Sequence, residues 1–541
     1  MSISKCYSAH LHGLTLQVIT VEVDISNGLN HVSIVGLGDR AVGESKDRVS
    51  AAIKNSGFTS PKQKNQKVVI SLAPANVRKE GPSFDIAIAI AYLCATGDIS
   101  CDTTGILFVG ELSLEGNIRK VSGILPIACQ AHEHGFKTIY VPIDNAREAS
   151  LASGMHIYAV SSLRQLIDHL SGRIVVDPIT SLDVSSEQPA YPHDVDMSMI
   201  RGNNSIKRTL EIAAAGMHNV SMYGPPGTGK TMLAQGFRTI LPPLTREESI
   251  EVTGIYSAAR SLGSDIIRIP PFRAPHHTAS HAAIIGGGDS FPRPGEITFA
   301  HRGVLFLDEF TEFDRGVLES LRQPLEARFI TLSRAKGSIT FPAECILLAA
   351  MNPCPCGMRL VGGCICSQST LRSYDQKISG PIMDRIDIWL NVENIDYEKL
   401  STRTHTAESS ALIRERVVRA RKRQADRFAR HGISKRCNSE MNPDDISRLV
   451  IMSTEARKLL RKIGETYKLS ARAFHRVIKV AQTIADLREE QFIKSARILE
   501  ALRYRHAHTW AITGSPTTGT APDHPLDSEH LAPQSGREVP S

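Results

Sequence analysis

Apolar positions along this chain follow two periods, and the dominant period changes with position. Short β-branched runs recur at 16–25, 32–35, 67–72, 105–110 and 138–141. Between them, apolar residues space out at helical intervals over 41–56, 84–95 and 124–134. Strands that alternate with helices bury a sheet beneath its crossovers, so residues 1–170 read as one α/β domain. The stretch 171–198 loses this periodicity. It holds Pro178, Pro189 and Pro192 among clustered Ser and Asp, the composition of a linker. Periodicity returns over 199–394, where helices predicted at 205–216, 232–239 and 314–327 alternate with buried runs at 220–223, 304–307 and 346–351. Two further runs, 329–332 and 338–341, flank a tight basic turn and read as a hairpin. Residues 241–303 are dense in Gly and Pro and predict loops and short hairpins. From 395 to 510 the pattern is helical, with a basic helix over 414–436, amphipathic helices over 444–467 and 470–487, and a last helix over 492–504. The tail, 511–541, is rich in Pro, Gly, Ser and Thr and reads as disordered.

Composition refines this picture only at the edges. At 541 residues and 41% hydrophobic, the chain can build several cores. Its net charge of +7 is mild and by itself selects no partner. The opening residues from Met1 to Lys5 have no apolar signal region, and no apolar run is long enough to span a bilayer. A cytoplasmic protein without a membrane partner is expected. Its ten cysteines should then be thiols or metal ligands rather than disulfides.

Candidate chemistry concentrates in the middle domain. Gly224, Pro225, Pro226, Gly227, Thr228, Gly229, Lys230 and Thr231 follow a predicted strand and open a predicted helix. That is the context of a phosphate-binding loop, in which backbone N–H groups and the helix N-terminus face phosphate oxygens. Lys230 would reach the β- and γ-phosphates, and Thr231 would ligate Mg²⁺. The run at 304–307 ends in Asp308 and Glu309. Asp308 would hold Mg²⁺ through water, and Glu309 would orient and activate the attacking water. Asn352 ends the run 346–351, where it would position that water or sense the γ-phosphate.

Other residues have weaker signatures. Cys354, Cys356, Cys364 and Cys366 form two Cys-x-Cys pairs in a glycine-rich loop, a set that can close a four-thiolate zinc site. Free thiols are the alternative. Arg385 lies between Asp384 and Asp387 and reads either as a surface ion pair or as an arginine finger reaching a neighbouring subunit's ATP. Arg472 begins a helix and can contact the γ-phosphate. Arg334 and Lys336 sit at the hairpin tip, where they can grip nucleic-acid phosphates. The basic helix over 414–436 is either a solvated face or a track for a nucleic-acid backbone. His276, His277 and His281 have metal-like spacing but lack a matched ligand set, so a structural or loop-contact role is expected.

These motifs together resemble the magnesium-chelatase-like AAA+ ATPases of the YifB/ComM group. The resemblance covers about residues 1–510. It rests most heavily on Ala-Pro-His-His-Thr at 274–278, Pro-Arg-Pro-Gly-Glu at 292–296, Met-Asn-Pro-Cys-Pro-Cys-Gly at 351–357 and Ser-Gly-Pro-Ile-Met-Asp-Arg-Ile-Asp at 379–387. It implies a Lon-protease-like N-terminal α/β domain (1–170), a linker (171–198), an AAA+ P-loop core with a helix-2 insert and a pre-sensor-1 hairpin (199–394), and a helical C-terminal lid (395–510). It implies Walker A at Lys230 and Thr231, Walker B at Asp308 and Glu309, sensor 1 at Asn352, the arginine finger at Arg385 and sensor 2 at Arg472. It also implies an ATP- and Mg²⁺-dependent homo-hexamer that acts as a helicase on single-stranded and branched DNA, driving branch migration in natural transformation. Within the N-terminal domain, Gly81, Pro82 and Ser83 resemble the Lon nucleophile motif. The position of the Lon lysine base falls near Leu125, which cannot take a proton, so Ser83 is expected to be a helix N-cap in a non-proteolytic domain. Two departures from the pattern are His281 and Asn203. A remodeller of protein partners remains the alternative class, with an ATP-dependent protease third.

Overall fold

The computed structural model describes residues 3–76, 79, 81–180, 191, 195–201, 204–259, 261–263, 266–288, 292–334, 337–393 and 408–513, with backbone alone at 334, 337 and 506–513. Among the described residues, seven strands form the first sheet, ordered His31–Val35, Gln66–Ala73, Thr15–Asn27, Ser4–His12, Ile106–Phe108, Thr138–Pro142 and His156–Val160. The middle of this sheet is antiparallel and both flanks are parallel. The helix Asp85–Thr96 is apolar on every side and correspondingly buried, packed between that sheet and the helix Arg40–Asn55. Its N-cap is Phe84, with no side-chain capping bond. Ser83 is therefore not the cap. It lies one residue earlier, where its carbonyl accepts from the Gly110 N–H at 2.9 Å. The strands Ser4–His12 and His156–Val160 are additional to those expected: the first alternates polar and apolar positions and so gives no apolar run, and the second is only five residues long.

The second sheet holds the site. Its order is Phe272–Arg273, Val304–Leu307, Ile346–Met351, Val220–Tyr223 and Ile388–Asn391, parallel at every pairing. Parallel strands place all their C-terminal ends on one edge, and ligands bind in the crevice beyond that edge. The run 241–303 is less irregular than its Gly and Pro content predicts, since it contains the helix Arg246–Ala258. Thr245 accepts from the Glu248 N–H while the Glu248 carboxylate accepts from the Thr245 N–H, a capping box readable in the sequence. The predicted helix over 314–327 divides into Arg315–Ser320 and Arg322–Ala327, with Pro324 in the second piece. The hairpin forms as Phe329–Arg334 paired with Gly337–Pro342. Lys336 lies outside the described residues, as do Asn203 and 514–541.

The C-terminal region is helical: Ser410–Arg430, Pro443–Leu449, Thr454–Thr466, Ala471–Leu487 and Ser495–Thr513. The single helix expected over 444–467 breaks because Ser453 caps a new one, accepting from the Ala456 N–H. These helices share one continuous core with Asn204–Gly216 and the central strands of the second sheet. The basic helix Ser410–Arg430 buries Ile413, Val417, Ala420 and Phe428, and three of its arginines, Arg416, Arg421 and Arg427, are taken up by partners within the chain, while Arg419 and Arg430 are exposed. Arg416 pairs with Glu211 and Glu408, Arg421 donates to the Ala214 carbonyl, and Arg427 forms a two-pronged pair with Asp486. The N-terminal domain docks on the core through Gly123, whose N–H donates to the Ser257 carbonyl and hydroxyl at 3.2 and 3.1 Å. No helix of the described residues is long and apolar enough to cross a membrane.

Candidate nucleotide site

Three of the predicted motifs begin at the C-terminal ends of adjacent parallel strands. The glycine loop follows Tyr223, the acid pair follows Leu307, and Asn352 follows Met351. The loop turns through left-handed backbone at Gly227 and Gly229, both at φ 79°, a conformation glycine adopts at no steric cost. Gly224 must lack a side chain, because a Cβ there would lie 2.1 Å from the Val392 carbonyl oxygen. The helix Lys230–Thr239 starts immediately after Gly229.

The site closes on itself through side chains. Lys230 Nζ donates to the carbonyls of Gly224 and Pro225 at 2.8 and 2.7 Å and to Asn352 Oδ1 at 3.2 Å. Burial pushes its ammonium below the ordinary lysine value, with Asp308 opposing that shift. A partly desolvated cation held by neutral carbonyls is arranged to receive an anion. Thr231 Oγ1 donates to Asp308 Oδ2 at 2.9 Å. A hydroxyl and a carboxylate side by side are the hard oxygen donors that Mg²⁺ prefers, so the residues present fit that ion. Asp308 Oδ1 accepts the Glu309 N–H at 2.9 Å. Glu309 itself sits at φ 50°, ψ 47°. Left-handed backbone at a non-glycine residue costs on the order of 1–3 kcal/mol and gathers at functional sites.

Sequence reasoning missed one residue here. His277 Nδ1 lies 3.1 Å from Glu309 Oε2, and its ring packs on His276 at a 4.1 Å centroid separation. His277 follows the edge strand Phe272–Arg273, and the pairing of that strand with the acid-bearing strand brings it to Glu309. The loop-contact role expected for the histidines thus has a specific object at His277. His281 instead starts the short helix His281–Ile285.

Arg385 and Arg472 are brought together, at Glu326. Arg385 is buried, donates to the carbonyls of Arg322 and Pro381, and ion-pairs with Glu326. Arg472 is exposed and reaches the other Glu326 oxygen at 3.5 Å. The four cysteines converge after Asn352. Their sulfurs all lie within 4.8 Å of one another. Arg334 closes the hairpin by pairing with Gly337.

Residues 196–400 match the family model "Magnesium chelatase, subunit ChlI", residues 21–145 match "Subunit ChlI of Mg-chelatase", and residues 407–505 match "Magnesium chelatase, subunit ChlI C-terminal". An uncharacterised protein of Mycobacterium tuberculosis is 39% identical over 491 residues, covering 90% of this chain and 95% of its own. Competence protein ComM of Haemophilus influenzae is 38% identical over 508 residues, covering 93% and 98%. YifB of Escherichia coli is 39% identical over 508 residues, covering 93% and 97%.

Proposed function

We infer the function from one premise: the chain belongs to the magnesium-chelatase-like AAA+ family that includes ComM and YifB. It is an ATPase whose hydrolysis drives a homo-hexameric motor along single-stranded and branched DNA, promoting branch migration of recombination intermediates during natural transformation. The observation that carries the ATPase reading is the meeting of Lys230, Thr231, Asp308, Glu309 and Asn352 at one edge of a parallel sheet. Lys230 exchanges its carbonyl partners for phosphate oxygens. Thr231 and Asp308 hold Mg²⁺, which neutralises phosphate charge when bound. Glu309 orients the attacking water, and Asn352 lies beside Lys230 to sense the γ-phosphate. Arg385 and Arg472, sharing Glu326, serve one phosphate of a neighbouring subunit. The hairpin tip at Arg334 and Lys336 contacts DNA. The four-cysteine cluster holds Zn²⁺.

Residues 1–170 form a Lon-like, non-proteolytic unit, 171–198 a linker, 199–394 the AAA+ core and 395–510 the lid, and the protein works in the cytoplasm. Leu125, fully buried, supplies no base for Ser83. A second reading, ATP-driven remodelling of a protein partner, gains from Arg416, Arg421 and Arg427 of the basic helix, whose internal partners reduce the charge that the helix can offer to DNA. ATP hydrolysis by the purified chain, with and without single-stranded and forked DNA, separates the two. Stimulation by DNA that disappears in Lys336→Ala supports the motor. Turnover indifferent to DNA supports the remodeller.

A further inference from the structure

The cysteine loop is joined to the nucleotide site just before its first cysteine and again at Gly357. Cys354 Sγ lies 3.3 Å from Cys356 Sγ and 3.7 Å from Cys364 Sγ, and the last two are 3.6 Å apart. A disulfide would need about 2.05 Å. Tetrahedral zinc with Zn–S near 2.3 Å separates its sulfurs by about 3.8 Å, close to the observed spacing. The contrast is Cys94 and Cys101, 3.5 Å apart in the N-terminal domain, which gather no third or fourth ligand among the described residues. Just before the cluster, Pro353 accepts from Tyr223 Oη at 3.3 Å and Asn352 from Tyr374 Oη at 3.2 Å, both through their carbonyls. Within it, Gly357 turns at φ 76°, and a Cβ there would lie 2.6 Å from Pro226 Cδ of the phosphate loop.

We propose that Cys354, Cys356, Cys364 and Cys366 bind one Zn²⁺, and that the metal-locked loop braces the nucleotide site by seating Gly357 on Pro226 and fixing Asn352 against Lys230. The inference rests on the phosphate-loop and zinc readings above and adds their coupling. A loop of this size with glycines at 357, 362 and 363 has little apolar core of its own, and a closed four-thiolate site supplies the missing rigidity. Rigidity here matters, because Lys230 Nζ donates one of its three hydrogen bonds to Asn352 Oδ1, two residues before the first ligand.

The test uses the full chain. Elemental analysis should find about one zinc per chain, and growth with cobalt should give thiolate-to-cobalt charge-transfer absorption, as a closed thiolate site does. Both should vanish in Cys364→Ser/Cys366→Ser, while Cys129→Ser keeps metal and turnover. Metal removal, or the double variant, should lower kcat for ATP on the order of 100-fold. Gly357→Ala leaves all four thiols in place and adds its methyl against Pro226; it should keep its zinc and lose nucleotide affinity and turnover, so the inference stays testable if the double variant does not fold. Absence of zinc and of the cobalt spectrum overturns the metal site. Zinc present, with ATP affinity and kcat unchanged in Gly357→Ala and on metal removal, overturns the brace alone. A wild-type chain that binds zinc but not ATP overturns the nucleotide reading instead.

Discussion

Glu309 is held in an unfavourable backbone conformation by contacts on either side: its N–H on Asp308 and its carboxylate on His277. Such strain persists only where the surroundings over-determine it. Glu309→Gln keeps the shape and removes the basic oxygen. It should bind ATP with unchanged affinity and lose turnover by at least about 100-fold. Retained turnover would remove Glu309 from its assigned role. His277→Ala tests the second contact. Because His277 touches the carboxylate and not the phosphate loop, kcat should fall about tenfold with the KM for ATP unchanged. An unchanged kcat would make the pair incidental. Lys230, Thr231, Asp308, Glu309 and Asn352 were readable because each motif sits where a buried run ends. His277 and Glu326 were not, because each acts through a partner distant in the chain that no spacing rule connects.

At the scale of elements, the helix Arg246–Ala258 shows what composition obscures. Glycines and prolines around it suggested loops, yet its capping box was present in Thr245 and Glu248. The helix is fastened by Glu251, which meets His301 at 3.3 Å and Arg302 at 2.8 Å. The hydrogen bond from His301, and then that from Arg302, draws the Glu251 carboxyl from 4.5 down to about 2, against the opposing effect of burial. A carboxyl depressed on folding stabilises fully above its unfolded value and loses that contribution as pH falls toward the folded one. The melting-temperature gap between wild type and Glu251→Gln should therefore be constant above pH 4.5 and close between pH 4.5 and about 2. A gap that persists at the acid end would refute the assignment. The basic helix teaches the converse. Its charge density was legible, but its direction was not, because arginines that bind buried partners such as Glu211 and Asp486 look identical in sequence to arginines that face water.

For the whole molecule, the position of the arginines argues for assembly. Arg385 and Arg472 meet on Glu326, while the groups that contact Lys230 are Gly224, Pro225 and Asn352. Neither arginine is hydrogen-bonded to its own phosphate loop. If they complete a neighbour's site, the two halves of one active site come from different chains, and the contact is head-to-tail, the kind that closes rings. Subunit mixing decides this. Arg385→Ala keeps its own phosphate loop and lacks the finger. Lys230→Ala keeps the finger and lacks the loop. Each alone should be inactive. Mixed in equal amounts and allowed to exchange, they should recover about a quarter of wild-type turnover, the fraction of interfaces that randomly pair an intact loop with an intact arginine in a heterologous ring. A mixture as inactive as its components would mean that Arg385 acts only within its own chain, and the ring would lose its main structural argument.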